Sequence, residues 1–202
     1  MQHSDHDFSL DSGSTALDFA NTIDPRRGSH PVDSLPDYPA LLHFASASGV
    51  LDRTACDRLM AEAVERPYEA NAVHAIALSM REAIFDIASA LAAGDSPASF
   101  DLQIIRRMAA NAVAAGELVY EGEGFRWTWD DAGRSLERPL WPIADSAVQL
   151  LTRRDLSRLR VCAADDCDWL FLDETRNRSR KWCDMNTCGN RAKVARYRER
   201  RE

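Results

Sequence analysis

Long apolar runs are missing from this 202-residue chain: no stretch nears the roughly 18–20 continuous apolar residues that a membrane helix requires. Nor does a basic then apolar leader open it, since Met1 to Asp11 is polar and acidic. A soluble, untargeted protein with no membrane partner is expected. Histidine is scarce, and none of the five follows residue 150. Around His30, His43 and His74 there is no nucleophile elbow, phosphate-binding loop or metal-binding pair, so an enzyme is not expected. Cysteine is sparse and odd in number; four of the five crowd into 27 residues, unlike a secreted disulfide framework. The expected location is therefore the cytoplasm. Cys56, far from the others, reads as a small half-buried helix residue without a role.

Repeats, low-complexity tracts and long linkers are absent too. With 45% apolar residues, the chain can bury one substantial core and add a small docked module. The net charge of −7 is unevenly spread. Residues 151–202 hold 14 Lys+Arg against 9 Asp+Glu, whereas residues 1–150 hold 11 against 23. This asymmetry implies an acidic body with a basic contact surface.

The body, residues 1–155, reads as mainly helical. Helices are expected over Ser14 to Ile23, over Asp37 to Ser48 with Pro39 in the first turn, and from an Asp52 cap to Glu65. From Glu69 to Ala93, Val73, Ile76, Met80, Ile84, Ile87 and Leu91 recur at the helical period, and Gly94 ends the run. A further helix, opened at Ser99 or Asp101, carries Leu102, Ile105, Ala109 and Ala112 on one face until Gly116. Two β-favouring runs, Leu118 to Tyr120 and Phe125 to Trp129, flank a Gly-containing turn and predict a hairpin. After Pro139, Leu140, Ala144, Ala147 and Leu151 share a helix face, and Asp155 caps one more turn to Arg160. The fold class expected is mainly α with small β-hairpins (α+β).

The four clustered cysteines are Cys162, Cys167, Cys183 and Cys188, two pairs each spaced by four residues. Zinc takes four tetrahedral ligands with sulfur at about 2.3 Å, and paired cysteines can clasp it from two sides of a small loop. With no histidine nearby, the expected site is four thiolates around a structural Zn2+, leaving no open position for chemistry. Iron also accepts four thiolates, but these spacings depart from the compact ferredoxin pattern, and a redox dithiol would call for Cys-x-x-Cys. Asp168 to Asp173 and Arg180 to Trp182 read as two strands of a hairpin joining the pairs, with Trp169 and Trp182 packing on facing strands. Knuckle, hairpin, knuckle and terminal helix is the order of a treble-clef-like finger over residues 156–202; a zinc ribbon would not need the helix.

From Arg176 onward there are ten Lys+Arg against three acidic residues. Arginine's planar fork suits phosphate oxygens, so the candidate nucleic-acid contacts are Arg191, Lys193, Arg196, Arg198, Arg200 and Arg201 on the terminal helix. Val194 and Tyr197 would face the finger. The plainer reading is a solvated basic helix end that complements the helix dipole.

Trp169 to Asp173, Arg180 to Met185 and above all Cys188-Gly189-Asn190-Arg191 resemble the CGNR zinc-finger family. Leu17-Asp18-Phe19-Ala20-Asn21-Thr22 and Met80-Arg81-Glu82 are similar to the ABATE domain that precedes this finger in the family. Its members are described as stress-induced transcription regulators. The resemblance implies that the four cysteines hold zinc and that the finger binds DNA, with RNA or a protein partner as alternatives. It leaves open whether the N-terminal domain senses a small molecule or forms a homodimer. Asp18, Asn21 and Arg81 either line a small-molecule pocket or form a helix cap and a buried ion pair. Gly189 would permit a tight backbone beside the metal, Asn190 would bond backbone at the helix start, and Arg191 would brace the finger or reach phosphate.

Overall fold

The computed structural model describes residues 8–26, 30–129 and 134–199. Six helices build the body: α1 (Thr15–Ala20), α2 (Tyr38–Ala47), α3 (Arg53–Glu65), α4 (Pro67–Ala93), α5 (Ser99–Ala115) and α6 (Leu140–Leu151). None of the described helices is long and apolar enough to cross a membrane. The fold class is the one the periodicities imply: mainly helix, with three small antiparallel strand pairs.

Capping sets the helix starts. Asp37 accepts from the Ala40 N–H at 2.8 Å and Asp52 from the Ala55 N–H at 2.7 Å, satisfying donors that a helix end leaves free. The long helix α4 begins two residues earlier than Glu69, because Pro67 fits the first helical position. It ends at Gly94, whose φ of 84° is a left-handed conformation that glycine adopts without steric cost. Helix α1 ends earlier than Ile23. The chain turns at Asn21 and Thr22 into a short ribbon of β1 (Ile23–Asp24) and β2 (Val32–Asp33), Pro25 keeping Asp24 extended.

Val73, Ala77, Met80, Ile84 and Ile87 of α4 are buried in one core with Leu17 and Phe19 of α1 and Ile143, Ala144 and Ala147 of α6, α1 lying against both longer helices. On α5 the buried face is Ile105, Met108 and Ala112, rotated from the one expected, and Leu102 is 44% exposed. Leu102 lies in the first turn, beyond the reach of that core.

The hairpin is present as β3 (Glu117–Tyr120) and β4 (Phe125–Thr128), with Leu118 opposite Trp127 and Tyr120 opposite Phe125. It stands off the body, and Leu118, Tyr120 and Phe125 are each more than 60% exposed.

Asp155 caps a single 3-10 turn, Leu156–Arg158, that leads into β5 (Leu159–Val161). Its antiparallel partner is β6 (Leu170–Leu172), with Leu159 opposite Leu172. The hairpin expected between residues 168–173 and 180–182 is therefore not formed. β6 pairs backwards with the segment before Cys162, because Leu159, Leu170 and Leu172 all enter the body's core. Residues 180–182 lie alongside the first cysteine loop instead, where the Ala163 N–H donates to the Lys181 carbonyl at 2.9 Å. A five-residue π-type turn, Met185–Gly189, then runs into the last helix, α7 (Asn190–Glu199).

Candidate metal centre

Each cysteine is placed by a different local device. Cys162 and Cys167 sit in the loop closing β5 onto β6, where the Cys162 N–H donates to the Trp169 carbonyl at 2.8 Å and the Cys167 N–H to Ala164 at 3.1 Å. Cys183 follows a loop braced by Arg180. That guanidinium lies 4.5 Å over the Phe171 ring and donates to the carbonyls of Trp182 and Cys183. Cys188 is held in the π-type turn by Asp184, whose carboxylate accepts from the Asn186 and Thr187 N–H groups at 2.9 and 3.0 Å. Those bonds keep the Asp184 carboxyl below the usual range. Sequence reading missed Asp184; the signal available was an acidic N-cap three residues before Thr187.

The four sulfurs are buried and lie within 4.8 Å of one another. Cys167 Sγ is 3.7 Å from Cys183 Sγ, and Cys183 Sγ is 3.6 Å from Cys188 Sγ. A tetrahedron of sulfurs about 2.3 Å from a metal has edges of about 3.8 Å, so the cluster has the dimensions of a four-thiolate centre. Hydrogen bonds from Cys167 and Cys183 hold the Cys162 thiol far below its ordinary range, while contact with Cys162 pushes Cys167 and Cys183 above theirs. Sulfurs this close accept one negative charge and resist further ones unless a cation balances them. The residues present therefore fit a metal ion.

Side chains of Met185 and Trp182 close over Gly189 beside the cluster. A Cβ on Gly189 would lie 3.0 Å from Met185 Sδ and 3.6 Å from Trp182 Cε3. Trp169 and Trp182 pack partly buried against the cluster, though not on facing strands.

The candidate phosphate contacts divide. Arg191 is drawn into the finger, donating to Cys188 Sγ at 3.1 Å and pairing with Asp166 at 3.0 Å. Lys193 and Arg198 are exposed and, among the described residues, pair with no carboxylate. Arg200, Arg201 and the side chain of Arg196 lie outside the described residues. Val194 and Tyr197, expected to face the finger, are 42% and 56% exposed and do not belong to the buried cluster around the cysteines.

In the body, Asp18, Asn21 and Arg81 serve structure. The Ser12 N–H donates to Asp18 at 3.1 Å, and burial raises the Asp18 carboxyl above its usual range. Arg81, 3% exposed, forms a two-armed pair with Asp33 at 2.6 and 2.9 Å and contacts Glu82 at 2.9 Å. A separate cavity of about 340 Å³ opens beside the hairpin, lined by Thr15, Gly49, Trp127, Trp129 and Arg138.

A helical body carrying a buried cluster of four cysteines and a basic last helix defines a protein with a candidate four-thiolate metal centre. The ABATE family model, described as "Putative stress-induced transcription regulator", matches residues 13–154, and the CGNR zinc finger model matches residues 158–201. The chain belongs to the ABATE family and ends in a CGNR-type finger. No curated protein matches it significantly.

Proposed function

We propose that this protein is a DNA-binding transcription regulator of the cytoplasm. In this reading Cys162, Cys167, Cys183 and Cys188 hold a structural zinc, the finger fixes α7, and basic side chains of α7 contact backbone phosphates. The observation that carries it is that the chain's last helix starts at the cysteine cluster and carries Lys193 and Arg198 exposed, neither paired with a carboxylate among the described residues. The protein acts by binding rather than catalysis, because four thiolates leave a tetrahedral metal no open position. The body senses a small ligand or dimerises, and the cavity beside the hairpin is where a ligand would enter.

Binding to duplex DNA across a salt series tests this reading. The logarithm of the binding constant should fall linearly with that of salt, by about 0.9 per phosphate neutralised. Combined Ala substitution of Lys193, Arg196, Arg198 and Arg200 should flatten the slope by about 3 to 4. Indifference to both salt and substitution rules the reading out, and stronger competition by single-stranded RNA redirects it to RNA. A protein-interaction role is favoured by one observation, the exposure of Leu118, Tyr120, Phe125 and Trp127 on the standing hairpin.

A further inference from the structure

We propose that Arg191 is the positioning residue of the metal centre: its guanidinium joins Cys188 to Asp166, tempers the charge of the thiolate cluster and fixes where α7 begins. The inference rests on the reading of the four cysteines as metal ligands.

Arg191 follows Cys188 by three residues, the spacing that puts two side chains on one face of a helical turn. One arm donates to Cys188 Sγ at 3.1 Å, and the other meets the Asp166 carboxylate at 3.0 Å. Asp166 immediately precedes Cys167, so a single planar group ties the first cysteine loop to the turn that carries Cys188. Only a fork reaches both partners at once, and a lysine ammonium would satisfy one of them.

Magnitudes decide which contact matters. The Arg191 and Asp166 side chains are 56% and 57% exposed, so their ion pair alone is worth little in water. The contact to a buried sulfur is different. Four thiolates around a divalent ion carry a net charge of about −2, and a cation hydrogen-bonded to one buried sulfur offsets part of it. Partners outside the ligand set typically change metal affinity about 10–100-fold. The charge of Arg191 also reaches the body: burial raises the Asp24 carboxyl on β1, and Arg191 opposes that rise. A residue committed in this way sets the helix that carries Lys193 and Arg198 and is not itself the main phosphate contact.

Competition with a chromogenic zinc chelator, on the full-length protein, tests the proposal. Arg191→Gln and Arg191→Ala should release zinc at about 10–100-fold lower chelator concentration than wild type. Arg191→Lys should recover part of the loss, Asp166→Asn should show a smaller one, and Arg198→Gln should behave as wild type. A packing defect is separated by loading cobalt(II). Loss of the donor to Cys188 raises the energy of the sulfur electrons, so the thiolate-to-metal charge-transfer band should move to longer wavelength in Arg191→Gln and stay in place in Arg198→Gln. Zinc retention within twofold of wild type in Arg191→Gln overturns the proposal, as does weakened retention with an unshifted band. Where Arg191→Ala fails to fold, the Gln variant and Asp166→Asn decide. Wild-type protein that holds no metal overturns the four-cysteine reading, and this inference with it.

Discussion

The carboxamide of Asn21 grips the backbone of Leu170 with both arms, donating to its carbonyl and accepting from its N–H, each at 2.9 Å. These residues lie 149 positions apart, one at the end of the first helix and one in the finger's inner strand. Asn21 does for the free edge of β6 what a third strand would do. Two residues on, the Leu172 N–H donates to the Ser12 carbonyl at 2.8 Å, so the edge is closed by the N-terminal segment. The finger is thus sewn into the body by one side-chain carboxamide and one backbone hydrogen bond as well as by the shared core.

Asn21→Ala should be costly for its size. It strands a buried N–H and carbonyl at Leu170, and each such group costs about 1–3 kcal/mol. Urea denaturation should show a loss of about 2–6 kcal/mol on that basis, and hydrogen exchange at the Leu170 amide should accelerate. Asn21→Asp keeps the acceptor but sets a carboxylate against a carbonyl, and should be no better than Ala. A loss below about 0.5 kcal/mol, typical of an indifferent surface site, would refute this role.

The Arg81–Asp33 pair makes a prediction in pH. Burial alone would raise the Asp33 carboxyl, but hydrogen bonds from Arg81 and the Leu35 N–H outweigh it and hold it below 3.8. A carboxyl lowered by folding stabilises the protein above its unfolded value, and that contribution disappears as pH falls through the folded value. Stability should therefore drop below about pH 4. Asp33→Asn should flatten this acid limb. At neutral pH it should cost about 1–3 kcal/mol, since Arg81 keeps Glu82 as a partner. An unchanged acid limb in Asp33→Asn, followed by thermal melts from pH 3 to 7, would show that the pair does not carry it.

Helices were legible because their signals are local. The Asp52 cap, Gly94 and the apolar period of α4 are all written within a few residues of where they act, whereas Pro67 opened α4 two residues before the expected start. The cysteine cluster was legible for the same reason, as a spacing. Strand pairing in the finger was not, because β6 could pair with residues on either side. The choice fell to Leu159, Leu170 and Leu172, whose burial depends on a core made by distant helices. The role of Arg191 stayed open because its partner Asp166 sits 25 residues upstream, where sequence shows only one of several aspartates in a loop.

A steric prediction concerns the hairpin. Gly116 has an ordinary extended backbone, with φ −87° and ψ 158°, so its need for glycine is not conformational. A Cβ there would overlap the indole of Trp127, which is held edge-on to Trp129. Gly116→Ala should destabilise by about 1–3 kcal/mol, as overpacking does. In a Trp127→Leu background most of that cost should vanish, a coupling that a double-mutant cycle measures directly. Additive effects would mean the ring moves aside freely.

Removing the metal should loosen the finger unevenly. Cys162 and Cys167 close a loop on strands held by the core, by Asn21 and by Ser12, none of which depends on an ion. Cys183 and Cys188 have less support: Cys183 leans on Arg180 stacked over Phe171, the turn carrying Cys188 relies on Asp184 and its own backbone, and α7 leaves it with Val194 exposed. Chelation, or Cys183→Ser with Cys188→Ser, should therefore strip amide protection from residues 183–199 while Leu170 to Leu172 stay protected. Far-UV circular dichroism should lose little, because the six body helices remain. Hydrogen-exchange mass spectrometry on the metal-loaded and chelated protein reads the two regions separately. Equal loss in both would mean that the metal also holds β6, and unchanged protection at 183–199 would mean that α7 stands without it.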